Sequence, residues 1–258
     1  MPLFYIFLVI AGLIGGFFSG LLGIGGGIIM FPLLLYIPPI FGFEPVGVKE
    51  ITGLTMIQGF FASLTAVLFY NRQKLVNKNL SLTLGISLFL SSLLGSLLSK
   101  GVPDKFLLFT FGILALIASV LMFIPRSYLK DDLTEDNVDF HKPTAILSGI
   151  SIGFLLGMVG QGGAFIIIPI LLYVLKIPLR VSLGSTLAIG LFSATAGLIG
   201  KVATGQVPFP MAAALLLGAI PSARLGAIIG KKTKTQVLRW ILSLIIGATA
   251  LKIWYNIF

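Results

Sequence analysis

Residues 16–36 read GFFSGLLGIGGGIIMFPLLLY, and residues 153–173 read GFLLGMVGQGGAFIIIPILLY. At an offset of 137, Gly16, Gly20, Gly23, Gly25, Gly26, Pro32 and Tyr36 fall on Gly153, Gly157, Gly160, Gly162, Gly163, Pro169 and Tyr173. The fold must therefore use one unit twice. Each unit must also accommodate a glycine cluster and a proline inside an otherwise apolar run.

Composition sets the solvent of that fold. Hydrophobic residues make up 57% of the 258 and charged residues only 10%, with mean hydropathy +1.09. A soluble domain carries roughly 25% charged residues. The apolar runs are about 15–23 residues long, against roughly 20 for one bilayer crossing. The chain reads as an all-α polytopic membrane protein in contact with the lipid bilayer. Its net charge is +10, but the basic residues lie in short loops and form no stripe interleaved with aromatics. That pattern sets membrane orientation and excludes nucleic-acid binding. There is no cysteine, which excludes disulfides, thiolate metal sites and cysteine nucleophiles. His141 has no second histidine with which to share a metal and reads as solvated, so no metal site and no cofactor are expected. The start, MPLFYIFLVIAG, has no basic leader region and reads as a retained first segment.

The repeat extends past the glycine motif. At an offset of 131, Gly53, Thr55, Gly59, Val76, Gly95 and Lys100 fall on Gly184, Thr186, Gly190, Val207, Gly226 and Lys231. The six-residue change of offset falls in the loop IPPIFGFEP. Residues 1–125 form the first membrane repeat, 126–143 a hydrophilic linker, and 144–258 the second repeat. The apolar segments run over about 3–22, 27–43, 50–70, 79–99 and 104–125, then 144–160, 163–177, 182–200, 207–229 and 236–257.

Loop charge decides how each glycine break is used. If it is a turn, one face collects Arg72, Lys74, Lys78, Arg126, Lys130, Lys142, Lys176, Arg180, Lys231, Lys232, Lys234 and Arg239. The other face keeps Lys49, Lys100, Lys105, Lys201 and Lys252. If it is a kink within one crossing, the same residues divide almost evenly. The positive-inside rule favours the turn. The first two segments of each half then form a Gly-broken helical hairpin, and the odd parity makes the halves inverted repeats. Both termini are expected on the extracytoplasmic side, with the linker cytoplasmic. The second arms, stopped by Pro38-Pro39 and Pro178, have about 10–14 helical residues, or roughly 15–21 Å at 1.5 Å per residue. Such arms are expected to end inside the membrane, although parity alone also admits two full crossings.

Short Gly/Pro-interrupted segments in matching positions of two halves point to the substrate site of a secondary transporter. A helix that starts within the bilayer leaves its first amides unpaired, and these favour an anion. Gly23, Gly25, Gly26 and Gly27 precede IIMFP, and Gly160, Gln161, Gly162 and Gly163 lie before FIIIP with Ala164 between. Pro32 and Pro169 each release a carbonyl one turn earlier, at Ile28 and Phe165. Gly16, Gly20, Gly153 and Gly157 read instead as a small-residue packing surface. Thr55, Gln58, Ser185 and Thr186, on the third and eighth segments, complete the candidate substrate-binding set. Ser193 and Thr195 read as bonded to their own backbone. Arg224 reads as snorkelling, and Glu50 as pairing with Lys49.

The strings GLLGIGGGIIMFPLLL and GMVGQGGAFIIIPILL resemble the signature of the TauE/SafE family of sulfite exporters. The resemblance covers essentially the whole chain, including the GLT and GST starts of the following helices. It departs at Gln161 and Ala164, where the first copy has Ile24 and Gly27. It implies a cell-membrane carrier exporting small sulfur-containing anions such as sulfite or sulfoacetate. Alternating access, with a proton or sodium as coupling ion, is the expected mechanism; a passive small-anion channel, or a carrier of an unrelated organic anion, is the alternative. An intramembrane enzyme is not expected, because no Ser/His, Asp/Asp or metal-ligand set lies in the segments. The oligomeric state is left open.

Overall fold

A computed structural model describes residues 2–22, 25–71, 77–123, 140–160 and 164–257. Each apolar segment becomes one helix. The first half holds α1 (Pro2–Leu22), α2 (Gly27–Ile40), α3 (Val48–Asn71), α4 (Lys78–Leu98) and α5 (Asp104–Phe123). The second holds α6 (Lys142–Val159), α7 (Ala164–Pro169), α8 (Leu179–Ala203), α9 (Phe209–Lys232) and α10 (Thr235–Ile257). Among the described residues there is no strand.

Among the described residues, six helices (α1, α4, α5, α6, α8 and α9) contain stretches long and apolar enough to cross a membrane. Their outer faces are apolar. On α4, Leu82, Ile86, Leu90 and Leu94 recur every fourth residue, and all are more than half exposed. A stripe that wide suits hydrocarbon, not water. The polar side chains turn inward: Thr52, Thr55, Gln58 and Ser63 of α3 and Ser182, Ser185, Thr186 and Ser193 of α8 are all buried. The chain is a multi-pass membrane protein whose polar groups line its interior.

The two halves interlock. α1 packs along α9 and α6 along α4, while α3 packs on α8 and α5 on α10. Exchanging the halves exchanges the first two contacts and returns the last two unchanged. Glycine permits the closest approaches, as the small-residue reading expected. A methyl group at Gly12, Gly16 or Gly20 would overlap the backbone carbonyl of Leu215, Ala219 or Ala223 on α9. On the other side, Gly157 meets the Ser92 carbonyl of α4, and Gly95 the Phe154 carbonyl of α6. Backbone cannot yield as a side-chain tip does. Gly20→Ala is expected to destabilise the fold by about 1–3 kcal/mol through overpacking, read as a lower thermal midpoint in detergent.

The second arms are short. α2 has 14 residues, roughly 21 Å at 1.5 Å per residue, against a hydrocarbon core of about 30 Å. Contrary to expectation, Pro38 and Pro39 lie within its last turn and do not stop it. Their carbonyls accept from Phe41 and Gly42, and the chain turns at Gly42, φ 75°. A proline still offers its carbonyl as an acceptor, so a pair in the last turn is tolerated. α7 passes after Pro169 into a π-helical turn, Ile170–Val174, where Leu175 N donates to Ile170 O at 3.0 Å. The carbonyl released by Pro32 finds a partner, since Thr249 Oγ1 of α10 donates to Ile28 O at 3.3 Å.

Candidate functional site

The first glycine tip joins α1 to α2. Gly25 (φ 67°) and Gly26 (φ 73°) are both left-handed, a succession that glycine adopts without steric penalty. The Gly26 carbonyl then accepts from Ile29 N (3.1 Å) and Met30 N (3.0 Å), which starts α2 at Gly27. Against this start lies Gln58 of α3. A Cβ placed on Gly26 would stand 2.6 Å from Gln58 Nε2, and one on Gly15 of α1 would stand 2.8 Å from it. The amide is thus wedged between α1 and the tip.

Gln58 is fully buried, and neither Nε2 nor Oε1 has a hydrogen-bond partner. Ser19 Oγ, whose Cβ adjoins Gly26, is also buried and unpartnered, as are Ser63 Oγ of α3 and Thr186 Oγ1 of α8. Each such group costs about 1–3 kcal/mol relative to a bonded one. Folded proteins satisfy nearly all buried polar groups, so Gln58 and Ser19, both unpartnered beside a helix start, require a reason.

The second tip follows α6. Gly160 is left-handed (φ 76°), and its carbonyl accepts from Thr55 Oγ1 at 2.6 Å. Two residues earlier, the Met158 carbonyl accepts from Lys201 Nζ at 3.1 Å. The three N–H groups of Nζ are shared among that carbonyl, Thr52 Oγ1 (2.8 Å), Ser99 Oγ (2.8 Å) and Gln206 Oε1 (3.0 Å). Loop charge placed Lys201 among surface cations. It is instead a residue of α8 with 0% of its surface exposed, because α3, α6 and the turn after α4 close over the end of that helix.

α3 therefore reaches both tips: Thr52 and Thr55 meet the second and Gln58 the first. Their spacing of three residues covers roughly 9 Å of helix from Thr52 to Gln58. Of the residues expected at the site, Gly25, Gly26, Gly27 and Gln58 are brought together at the first tip, and Thr55 and Gly160 at the second. Ser185 is not among them, since its Oγ accepts from Asn77 N at 3.0 Å, at the start of α4. Gly23, Gln161, Gly162 and Gly163 lie outside the described residues.

Other expectations resolve locally. Thr195 Oγ1 bonds to the Leu191 carbonyl of its own helix, as expected. Ser193 instead joins α8 to α4 through Ser92, Oγ to Oγ at 3.3 Å. Arg224 is exposed on α9. Glu50 accepts from Gly47 N at 3.2 Å, while the Lys49 ammonium expected to pair with it donates to the Lys100 carbonyl at 2.7 Å. His141 is exposed and caps α6. Among the described residues no cluster of ligating side chains could hold a metal ion.

Known proteins match this sequence along nearly its whole length. The family described as "Sulfite exporter TauE/SafE" matches residues 8–253. A "Probable membrane transporter protein" of Methanocaldococcus jannaschii is 33% identical, covering 95% of this chain and 93% of its own. The Bacillus subtilis proteins named "Probable membrane transporter protein YunE" and "YjnA" are 24% and 26% identical, covering 94% and 95% of this chain and 94% and 98% of their own. No solved structure matches.

Proposed function

The chain belongs to the TauE/SafE family of membrane transporters, and from that premise we propose that it exports small sulfur-containing anions, sulfite or a sulfonate such as sulfoacetate, as a secondary carrier. The observation that carries this reading is Gln58: an enclosed amide with no partner, set against the left-handed start of a short helix. An anion entering there loses its hydration and gains the first amides of α2, with Gln58 and Ser19 supplying neutral donors. Neutral donors bind an oxyanion without trapping it. The second tip, with Gly160, Gln161, Gly162, Gly163 and Thr55, forms the corresponding half-site.

In this reading the halves are inverted, and the site alternates between the two sides as one half moves against the other. The protein sits in the cell membrane with both termini outside and the linker inside. A proton or sodium gradient drives the cycle.

The test is sulfite flux in proteoliposomes under imposed proton and sodium gradients. Saturable flux that responds to one gradient is expected. Flux that neither saturates nor responds to a counter-gradient would identify a passive anion channel. No flux from folded protein would remove the sulfite assignment. A reporter fused after Phe258 is expected to be extracytoplasmic, and a cytoplasmic signal would overturn the inverted topology.

A further inference from the structure

The first-tip site makes no use of the buried ammonium of Lys201. A buried charge is ordinarily neutralised by an opposite one. Here all four partners are neutral: two hydroxyls, one amide oxygen and one backbone carbonyl. Hydrogen bonding is satisfied, but the positive charge is not compensated by any of them.

The surroundings are polar on two sides. Outward, the loop after α8 roofs the ammonium. Gln206 Nε2 is tied to Thr204 Oγ1 (2.7 Å) and Ser99 Oγ (3.2 Å), and its carbonyl rests on Gly53, where a methyl group would overlap it. Lys49 is next to this roof, bonded to the carbonyl of exposed Lys100 and, through its own carbonyl, to Thr52. Inward, Thr52 leads along α3 to Thr55 and to the unpartnered Gln58. The ammonium and the orphaned amide thus lie about two helical turns apart along α3, with Thr55 between them. The repeat supplies no second copy, because Tyr70 stands at the position equivalent to Lys201.

We propose that Lys201 is an anion-binding station on the transport path, separate from the first glycine tip, taking a small oxyanion or sulfonate whose oxygens replace Gln206 Oε1 and the Met158 carbonyl at Nζ. This rests on the carrier reading. The competing role is purely structural, with the ammonium pinning the carboxyl end of α6. Charge discrimination separates the two.

The experiment measures sulfite flux, and its inhibition by methanesulfonate and by the neutral isostere methanesulfonamide, for the wild-type chain, K201M and K201R in proteoliposomes. The wild type is expected to be inhibited by the sulfonate and not by the sulfonamide. Loss of a charge-assisted contact is expected to raise the half-saturating sulfite concentration of K201M about tenfold or more and to abolish that discrimination. K201R is expected to keep it. K201M with wild-type half-saturation and discrimination overturns the station while the carrier reading stands. Absence of saturable flux from folded wild type removes both. If K201M does not assemble, the wild type decides: acetic anhydride labelling of Lys201, read by peptide mass spectrometry, is expected to be slowed by methanesulfonate and not by methanesulfonamide. Equal labelling with and without methanesulfonate overturns the proposal.

Discussion

Gln58→Met is expected to abolish anion transport and at the same time to stabilise the protein. Methionine matches glutamine closely in length and volume, so the wedge between α1 and the first tip stays filled. What changes is the amide, whose two polar atoms are buried without partners. Removing an unsatisfied buried polar group recovers about 1–3 kcal/mol. For a chain of this size each kcal/mol moves the thermal midpoint by roughly 2–4 °C. A substitution that raises the midpoint by several degrees and silences flux shows that the residue is kept for a ligand at a cost to the fold. Scanning fluorimetry in detergent and flux in proteoliposomes provide the two readings. Unchanged flux, or a lower midpoint with flux retained, would sink the site assignment. Thr195→Val is the control, because that hydroxyl bonds only its own helix, and little change in either reading is expected.

Replacing Gly26 with leucine would not isolate the site in the same way. The structure shows that even a methyl group there would meet Gly15 O at 2.7 Å and Gln58 Nε2 at 2.6 Å, on a left-handed backbone. That substitution tests packing and binding together, and Gln58→Met separates them.

Much of the fold could be read directly. Apolar run length marked each of the described helices, and small-residue spacing tied Gly16, Gly20, Gly153 and Gly157 to packing, where each meets a neighbouring helix. Thr55 was visible because its repeat equivalent is also a threonine. Lys201 was missed. It stands one position beyond the eighth apolar segment, where lysine ordinarily complements a helix terminus or reaches solvent. Burial there comes from Thr52, Ser99, Met158 and Gln206, which lie 149, 102, 43 and 5 residues away in sequence. No local pattern encodes such a convergence. The repeat could not supply it either, since the first half carries no matching lysine. The π-helical turn after Pro169 was hidden for a different reason. Proline announces a missing donor, and the surrounding packing decides how the helix absorbs it.

Gly160→Ala carries the second large expected effect, best measured against Gly42→Ala. Both glycines are left-handed, at φ 76° and 75°. Nothing lies within 4 Å of a Cβ placed on Gly42, so alanine there meets only the backbone penalty, about 1–2 kcal/mol. At Gly160 the added methyl overlaps the Thr52 carbonyl and side chain. Thr52 holds Lys201, and the Gly160 carbonyl holds Thr55. Relief of the overlap must move the tip away from α3 and open both contacts at once. Gly160→Ala is therefore expected to lower the thermal midpoint well beyond Gly42→Ala and to abolish flux, whereas Gly42→Ala keeps it. Equal midpoints for the two variants would mean that the second tip can shift without disturbing Thr52. The coupling of Thr52, Thr55 and Lys201 to that tip would then be too loose to position an anion.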